Sequence, residues 1–277
     1  MVSAMKFFDP PPVRYFGSKW QLSDWIIEQM PPHTSYVEPY CGGASVFFRK
    51  APSALEVLND LNGDVVNFFE VLRGRTDELV NQVDLTPFSR MEYERSFEPC
   101  DEPLERARRF YVRSWQAFGS GGILKPTGWR HQLNTARGTG VAQEWSRLSG
   151  LFKGAYRLKD AQIECRDALE IIQRYDTPET LFYVDPPYVL SARERKYDRY
   201  VHELTDGAHR QLAAALHQVQ GMVMLSGYRS ELYDELYGDW HCSTKTNTTN
   251  GNSTSVEYLW ISPRANDLQR LPLFGSR

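Results

Sequence analysis

Short apolar runs alternate with stretches of helical periodicity along most of the chain. Between turn residues, apolar runs predict strands at residues 35–39, 54–58, 162–165, 181–184 and 222–225. Helical patterns lie between these runs, as at residues 206–220, where Leu212, Leu216 and Val219 share one face. Because parallel strands need long crossover connections, the alternation predicts an α/β fold with a mostly parallel sheet.

Two parts of the chain depart from this alternation. Residues 241–262 predict two strands joined by a loop at 247–255 that is rich in Asn, Thr and Ser, so we expect an antiparallel hairpin at one edge of the sheet. Residues 73–160 are basic and largely helical in pattern, and they are too many for a connecting loop. We therefore predict an inserted lobe at residues 73–160, and a sheet-bearing domain formed by residues 1–72 and 161–277.

The composition is typical of a globular protein, with 41% hydrophobic and 24% charged residues among 277. The apolar runs are too short to cross a bilayer, and residues 1–12 do not resemble a signal peptide. The cysteines at positions 41, 100, 165 and 242 form no CxxC pair, which argues against a zinc site and against a disulfide framework. We therefore expect a cytoplasmic protein with no metal and no membrane partner.

Basic residues concentrate in the predicted lobe, although the whole chain has a net charge of −3. Residues 104–137 contain a single acid, Glu105, among aromatic residues such as Trp115 and Trp129. The basic residues of this segment are Arg106, Arg108, Arg109, Arg113, Lys125, Arg130 and Arg137. A basic, aromatic-rich patch indicates a docking surface for phosphate groups. The alternative is a solvated, arginine-rich helix face.

A tetrapeptide directly after the apolar run at residues 181–184 gives the sharpest indication of chemistry. It consists of Asp185, Pro186, Pro187 and Tyr188. The prolines end the strand and stiffen the turn, so the carboxylate and the ring are held at the carboxyl edge of the sheet, where open α/β sheets bind ligands. The alternative is a proline-rich turn whose acid and tyrosine have no function.

A second ligand-binding pattern follows the first predicted strand. Residues 36–44 read YVEPYCGGA, a strand that leads into a glycine turn and a helix, and glycine lets a ligand approach the backbone closely. The pattern is not GxGxxG, which disfavours a dinucleotide. Asp60, at the end of the second strand, has the spacing of an acid that binds ribose hydroxyls. A purely structural turn and a helix-capping Asp60 are the alternatives.

Together these motifs resemble the amino-methyltransferases that modify adenine N6 or cytosine N4. The sequence RYFGSK at residues 14–19 is similar to the N-terminal motif of the Dam-type (D12 class) N6-adenine-specific DNA methyltransferases, and the order of the motifs is also that of this family. The resemblance extends from residue 14 to residue 261. It implies a Rossmann-like, S-adenosylmethionine-dependent methyltransferase fold, in which the inserted lobe at residues 73–160 recognises the target DNA.

The resemblance also implies which residues bind S-adenosylmethionine. They are Tyr15, Lys19, Glu38, Tyr40, Cys41, Gly42, Asp60, Asp167 and Asp185. Within this set, Asp60 would bind the ribose and Asp167 would accept a hydrogen bond from the adenine amine of the cofactor. Asp167 also precedes a predicted helix, so a role as the N-cap of that helix is the alternative.

For the reaction, we expect Asp185 and the backbone carbonyl of Pro186 to accept hydrogen bonds from the N6 amine of a target adenine. Alignment and electrostatic stabilisation would then support an in-line methyl transfer without a metal. Tyr188 would stack on the base, which must first be flipped out of the duplex. The residues predicted to contact DNA are Arg109, Arg113, Lys125, Arg130, Arg137, Arg195, Lys196 and Tyr197.

Other functions stay open from the sequence. A cytosine-N4 enzyme more often carries Ser in place of Asp185, and enzymes that act on RNA or on a protein glutamine more usually carry Asn. A catalytically inactive relic that binds DNA or the cofactor is a further alternative, which the intact motifs oppose. We expect duplex DNA as the partner and a monomer in solution. A cognate restriction endonuclease would be a second partner in a restriction-modification system.

Overall fold

The computed structural model describes residues 11–132, 140–146, 148–192, 200–248 and 254–270. The strands in these ranges are β1 (Ser35–Glu38), β2 (Leu55–Asn59), β3 (Gln162–Glu164), β4 (Thr180–Val184), β5 (Met222–Gly227), β6 (His241–Thr248) and β7 (Thr254–Ile261). The α-helices are α1 (Ser23–Ile27), α2 (Ser45–Arg49), α3 (Gly63–Gly74), α4 (Thr76–Asp84), α5 (Arg90–Arg95), α6 (Pro103–Gln116), α7 (Val141–Trp145), α8 (Ser149–Leu158), α9 (Ala168–Arg174), α10 (Asp206–Leu216), α11 (Glu231–Tyr237) and α12 (Pro263–Arg270).

The strands form one sheet in the order β3-β2-β1-β4-β5-β7-β6. β1 is parallel to both of its neighbours, β2 and β4, and β4 is parallel to β5. β7 is antiparallel to β5 and to β6, so the hairpin lies at one edge of the sheet. The mostly parallel α/β sheet with an antiparallel C-terminal hairpin is therefore confirmed.

The central strands are apolar because both of their faces are covered. Every residue of β4 and of β5 is buried, and β1 and β2 are buried after their first residue. Parallel strands that have no face toward water are expected to be short runs of consecutive apolar residues, without alternation of apolar and polar positions. The same continuity makes these strands recognisable in the sequence.

The chain divides into two compact units, each assembled from separate segments. The first consists of Met1–Gln21, Gly42–Arg49 and Asn62–Ile163. The second consists of Leu22–Cys41, Lys50–Leu61 and Glu164–Arg277, and it contains the sheet except for the first residues of β3. The lobe predicted at residues 73–160 lies wholly within the first unit, and its role in binding DNA stays a prediction.

In the second unit, α9, α10 and α11 pack against the strands. Their buried side chains, among them Ile171 from α9 and Leu212 from α10, join Val37, Phe182 and Val223 of the sheet in one apolar cluster. The cluster also contains a group of aromatic residues whose ring centroids lie 5.0 to 6.3 Å apart where they are in contact: Tyr233, Tyr237, Trp240 and Trp260.

In the first unit, α3 and α6 pack together through aromatic side chains. The rings of Phe68 and Phe110 lie 5.2 Å apart, and Phe48 of α2 contacts Phe69 edge-on at 5.9 Å. Helix α6 begins at Pro103 because the side chain of Glu102 accepts hydrogen bonds from the N–H groups of the first turn, and proline suits that first position. This helix carries most of the arginines noted above.

None of the helices in the described part of the chain is long and apolar enough to cross a membrane.

Candidate active site

Several of the predicted site residues lie where the order of the strands reverses across the sheet. After β1 the chain proceeds to β2 on one side, whereas β4 lies on the other side of β1. Loops that leave two such neighbouring parallel strands diverge and open a crevice at their carboxyl ends, which is where ligands of open α/β sheets bind. Glu38 ends β1, Asn59 ends β2, and Asp185 directly follows β4.

Glu38 is buried, with 2% of its surface exposed, and its carboxylate is held from within its own strand. The hydroxyl of Tyr36 donates a hydrogen bond to Glu38 Oε1 at 2.7 Å. Burial, and then the charge of Glu38, raise the pKa of Tyr36 well above its usual value, so the phenol stays a donor. Lys50 Nζ lies 4.4 Å from the centre of the Tyr36 ring and also donates to Glu56 Oε1 at 2.7 Å.

Asn59, the last residue of β2, is hydrogen bonded to the loops that follow β1 and β3. No sequence motif singled it out. It is 1% exposed, and its amide nitrogen donates to the carbonyl oxygens of Pro39 at 2.8 Å and Arg166 at 3.0 Å. Its side-chain oxygen accepts from the N–H of Arg166, and its backbone carbonyl accepts from the N–H of Cys41. A buried polar residue at a strand end was the signal that could have identified it, because such a group needs partners.

Acidic side chains surround the turn after β1. The pKa of Tyr40 is raised by burial and then by the charges of Asp167 and Asp60. The pKa of the Cys41 thiol is also raised, first by burial and then by Asp60 and Glu38. The negative charges of Glu38, Asp60 and Asp167 therefore act on Tyr40 or Cys41, which are also predicted cofactor residues. Both the tyrosine and the cysteine stay protonated there.

Asp167 caps the helix that follows β3. Its carboxylate accepts a hydrogen bond from the N–H of Leu169 at 2.8 Å, and it is the N-cap of α9. The capping role is therefore observed, and the side chain is also exposed at the sheet edge. Its role toward a cofactor stays a prediction.

The tetrapeptide after β4 is held in place by its tyrosine. Pro186, Pro187 and Tyr188 are buried, whereas Asp185 is partly exposed. The Tyr188 hydroxyl donates to Glu257 Oε2 at 3.0 Å. Its ring meets the ring of Tyr228 edge-on, with centroids 4.7 Å apart and an interplanar angle of 74°.

Burial, and then the charges of Asp185 and Glu257, raise the pKa of Tyr188 well above its usual value. Its phenol is therefore protonated and can donate the hydrogen bond. The sequence analysis gave Glu257 no role. The available signal was its place in β7, where it shares a buried face with Leu259 and Ile261, a position at which a charge is unusual.

The glycine turn belongs to the first unit, and its glycines make room for a tyrosine. A Cβ atom on Gly42 would come within 2.9 Å of ring carbons of Tyr15, and one on Gly43 within 2.8 Å of the Tyr15 Cβ. Gly42 also has a φ of +48°, which favours glycine. In the fold these glycines accommodate the side chain of Tyr15, and close approach of a ligand to them stays a prediction.

The rest of the N-terminal motif is also anchored within the first unit. Lys19 is 6% exposed, and its Nζ donates to the Gly17 carbonyl at 2.8 Å. The hydroxyls of Ser18 and Ser45 are hydrogen bonded at 2.7 Å, which ties the motif to the start of α2. Whether Tyr15, Lys19 and Gly42 share one ligand with the acids of the second unit stays a prediction.

The arginines of α6 form ion pairs within the first unit. Arg106 and Arg113 both donate to Asp64 of α3, at 2.7 and 3.0 Å. Burial alone would raise the pKa of Asp64, but the hydrogen bonds from Arg106 and Arg113 outweigh it and lower that pKa. The segment's excess of basic residues is therefore smaller in the fold than along the sequence.

The other two arginines of α6 pair with acids in the same way. Arg108 donates to Glu105 at 2.6 Å and to Glu92 of α5 at 2.9 Å, and Arg109 donates to Glu105 at 2.7 Å and to the Glu98 carbonyl at 2.8 Å. The hydrogen bond from Arg108 is the main cause of a lowered pKa of Glu105. Glu92 and Asp64 lie outside residues 104–137, so counting charges within that segment overlooked them.

Past α6, residues 118–128 form a long turn that presents an aromatic side chain to solvent. The N–H of Phe118 donates to the Gly128 carbonyl at 2.8 Å, and Ala117 and Trp129 form an antiparallel bridge. Phe118 is 71% exposed, and Lys125 is exposed on the same turn.

Among the remaining predicted DNA contacts, only Arg130 lies within the described residues. Arg130 pairs with Glu144 at 2.8 Å, and Arg14 pairs with the same carboxylate at 3.1 Å. The other predicted contacts lie outside the described residues: Arg137, Arg195, Lys196 and Tyr197. Within the described ranges, no group of three or more His, Cys, Asp or Glu side chains could hold a metal ion.

Comparison with known proteins gives the family. The model of the D12 class N6 adenine-specific DNA methyltransferases matches residues 15–115 and 132–250. The DNA adenine methylase of Salmonella typhi is 26% identical over 240 residues, which cover 81% of this chain and 83% of that protein. The DNA adenine methylase of Escherichia coli K12 is 25% identical over 236 residues, with the same coverage of both chains. The Type II methyltransferase M.MjaIII of Methanocaldococcus jannaschii is 22% identical over 257 residues, covering 82% of this chain and 87% of that protein.

The family match covers the motifs on which the resemblance is based: residues 15–19 of the N-terminal motif, the glycine turn and the tetrapeptide at residues 185–188. The resemblance is therefore confirmed, and with it the prediction of an adenine-specific methyltransferase rather than a cytosine-specific one. The chain belongs to the D12 class N6 adenine-specific DNA methyltransferases.

Proposed function

We propose that this methyltransferase takes its methyl group from S-adenosylmethionine and transfers it to an adenine flipped out of duplex DNA, with Asp185, Pro186, Pro187 and Tyr188 at the reacting centre. The observation that carries the proposal is the position of this tetrapeptide: it follows β4 directly, at the point where the strand order reverses. Ligands bind at this point in open α/β sheets.

The acidic turn after β1 suits the proposed cofactor. S-adenosylmethionine carries positive charge on its sulfonium and amino groups and has a ribose diol, and carboxylates are suitable partners for all three. The acids whose charges act on Tyr40 and Cys41 are Glu38, Asp60 and Asp167. When bound, the cofactor supplies an activated methyl group. We propose that Glu38 holds its amino-acid end, Asp60 its ribose and Asp167 its adenine.

In this proposal, the main role of the tetrapeptide is to make the N6 amine of adenine, a poor nucleophile, more reactive. The lone pair of an adenine N6 amine is delocalised into the ring, so it must be held in a more reactive geometry. We propose that the Asp185 carboxylate and the Pro186 carbonyl each accept a hydrogen bond from one N–H of the N6 amine, and that the two prolines keep these acceptors rigid. Pre-set acceptors need no reorganisation during the reaction, which is why they lower the barrier.

Tyr188 provides an aromatic surface for the flipped base. Chemistry on a base requires that it leave the stack, and the cost of unstacking is partly recovered by stacking on protein side chains. The ring of Tyr188 is buried among protein groups on its phenol side, through Glu257 and Tyr228. In the proposed reaction it contacts the base, and its raised pKa keeps the phenol protonated.

We propose that the lobe at residues 73–160 binds the DNA through the turn after α6. Phe118 and Lys125 are exposed there, which suits an apolar wedge between bases and a phosphate contact. Arg130 and Arg137 are further proposed DNA contacts of this lobe, and Arg195, Lys196 and Tyr197 are proposed DNA contacts of the second unit. Contact of Arg109 and Arg113 with phosphate stays a prediction, and there a phosphate would have to compete with Glu105, the Glu98 carbonyl and Asp64.

Two further parts of the proposal concern the setting of the enzyme. We propose that it acts as a monomer in the cytoplasm, where its DNA substrate would lie. A cognate restriction endonuclease is a second proposed partner, because one relative is named a type II methyltransferase.

The direct test is to identify the methylated nucleoside. The purified chain would be incubated with S-adenosylmethionine and unmethylated duplex DNA, and the digested nucleosides would be analysed by mass spectrometry. We expect N6-methyladenine from the wild type and none from Asp185→Ala. N4-methylcytosine would contradict the assignment of the base. Retained cofactor binding with no methylated nucleoside would support the inactive relic instead.

A further inference from the structure

We propose that Glu257 is a positioning residue that fixes the ring of Tyr188 in the orientation needed to receive the flipped base. The proposal rests on the proposed role of Tyr188 as the surface on which that base stacks. Glu257 would act only through the tyrosine, without touching the substrate or the cofactor.

The sheet register brings two side chains to the same point beside the tetrapeptide. Where β5 and β7 pair, Gly227 lies opposite Tyr258. One step further along the same antiparallel register, Tyr228 leaves β5 at the level of Glu257. Tyr188 contacts both: its hydroxyl donates to the glutamate, and its ring lies edge-on against Tyr228.

These two contacts constrain different parts of the tyrosine. The hydrogen bond holds the phenol oxygen at 3.0 Å from Glu257 Oε2, at the far end of the side chain. The edge-on contact at 4.7 Å sets the tilt of the ring. A tyrosine has only two rotatable side-chain bonds, so a fixed oxygen and a fixed tilt leave the ring a single orientation.

A glutamate is a costly means of holding a ring, which argues for a specific role. Glu257 is 8% exposed, and burying a carboxylate carries a large penalty unless its oxygens are hydrogen bonded. A leucine would fill the same place in the apolar face of β7 without that penalty. What a leucine cannot do is accept the hydrogen bond of Tyr188, and a charged acceptor gives a stronger and shorter bond than a neutral one.

The consequence is a ring that is already oriented before the base arrives. If the ring had to be immobilised during binding, the lost freedom would reduce the gain from stacking. Because Glu257 and Tyr228 hold it beforehand, the interaction with the base is available to offset the cost of flipping. Loss of Glu257 should therefore slow methyl transfer more than it weakens cofactor binding.

The experiment compares single-turnover rates on unmethylated plasmid DNA at saturating S-adenosylmethionine. Glu257→Leu removes the acceptor, Glu257→Gln keeps a neutral amide oxygen, and Tyr188→Phe removes the donor. Ser226→Ala is the matched control, because it deletes another buried phenol hydrogen bond of the same sheet, between Tyr183 and Ser226 at 2.8 Å. Thermal unfolding and cofactor affinity are measured for every variant.

We expect Glu257→Leu to lower the transfer rate roughly tenfold to hundredfold, and Glu257→Gln to recover most of that loss. The double variant Tyr188→Phe with Glu257→Leu should be no slower than the slower single variant, because the two residues act as one unit. Ser226→Ala should lose thermal stability and keep its rate.

Additive losses in the double variant, or a rate loss in Ser226→Ala as large as that in Glu257→Leu, would overturn the proposal. If Glu257→Leu does not fold, the comparison of Glu257→Gln with Tyr188→Phe gives the same test. Failure of the proposed function is distinguishable, since it would appear as absent transfer by the wild type, before any variant is compared.

Discussion

The carboxyl edge of the sheet and helix α6 both contain charged residues that the sequence predicts to bind ligands. In the fold, the charged residues of the two regions differ in the charges of their neighbours. At the sheet edge, burial is the main cause of the raised pKa values of Tyr40 and Cys41, and the negative charges of Glu38, Asp60 and Asp167 add to it. Along α6, each arginine has a carboxylate of opposite charge within 3.0 Å.

The difference shows how a charged motif should be interpreted. Like charges at one place repel each other, and binding of a cationic ligand would reduce that repulsion. Opposite charges that are already paired satisfy each other, and they lower the free energy of the fold by a modest amount. The acids therefore indicate ligand binding more strongly than the arginines indicate DNA binding.

The most severe way to test the sheet edge is to remove the carboxylate of the tetrapeptide. Asp185→Ala should lower the rate of methyl transfer about a thousandfold, because it deletes an acceptor that acts on the reacting amine. Single-turnover assays with labelled cofactor measure this loss. Cofactor affinity, measured by calorimetry, should stay within about threefold of the wild type, since other acids would hold the cofactor. A variant with the wild-type rate would show that Asp185 is not at the reacting centre.

A subtler change at the same edge removes the hydroxyl that holds Glu38. Tyr36→Phe should weaken cofactor binding about tenfold, because the carboxylate of Glu38 loses a buried hydrogen bond that orients it. Calorimetric titration of S-adenosylmethionine gives the affinity. Tyr183→Phe is the control, since it loses a comparable buried phenol contact with Ser226. Equal losses in both variants would mean that general loosening of the sheet, and not Glu38, is responsible.

On the lobe, the exposed turn and the paired helix should respond differently. Lys125→Gln should weaken duplex binding about threefold and reduce the slope of log affinity against log salt by about one, because one phosphate contact is lost. Fluorescence anisotropy over a range of salt concentrations measures both quantities. Arg109→Gln is the comparison: a slope that falls equally there would place Arg109 among the phosphate contacts despite its pairing with Glu105.

The smallest expected effect concerns stability. Asp64→Asn should lower the free energy of unfolding by about 1 kcal/mol at pH 7, because two partly exposed ion pairs are lost. The folded pKa of Asp64 is lowered below its ordinary value of 3.8, so this stabilisation is present above that value and is lost as the pH falls through the folded pKa. Urea unfolding at pH 7 and pH 3 should show the two proteins converging at the lower pH. A constant difference would mean that the ion pairs are not its source.

The sequence predicted the parts of this molecule that depend on local pattern. The central strands are recognisable because every residue of β4 and β5 is buried, and the tetrapeptide because its prolines follow such a strand directly. Glu38 and Asp167 were named through the family resemblance, whose motifs are short and contiguous in the sequence. In each case the physical cause lies within a few residues of the feature.

What could not be predicted depends on contacts between distant parts of the chain. Asn59 bonds to a residue 107 positions away, and Tyr188 bonds to Glu257, 69 positions away. Arg113 finds Asp64 49 positions earlier in the sequence. No local periodicity encodes the register between strands or the packing of one helix on another, so these partners become visible only in the fold.

The interleaving of the two compact units has a consequence for how the chain folds as it is synthesised. In the sheet β4 pairs with β1, and Ser35 lies opposite Thr180. The helical segment between β2 and β4 must therefore be synthesised before this pairing can form. The first unit is complete once Ile163 has been made, and it can form its core while the sheet still lacks its centre. Domains tend to fold as units during synthesis, and contacts between distant residues form slowly. The first unit can therefore form its core before the sheet is complete, and a nascent chain that pauses between Ile163 and β4 exposes the edge of β1 at which β4 will pair.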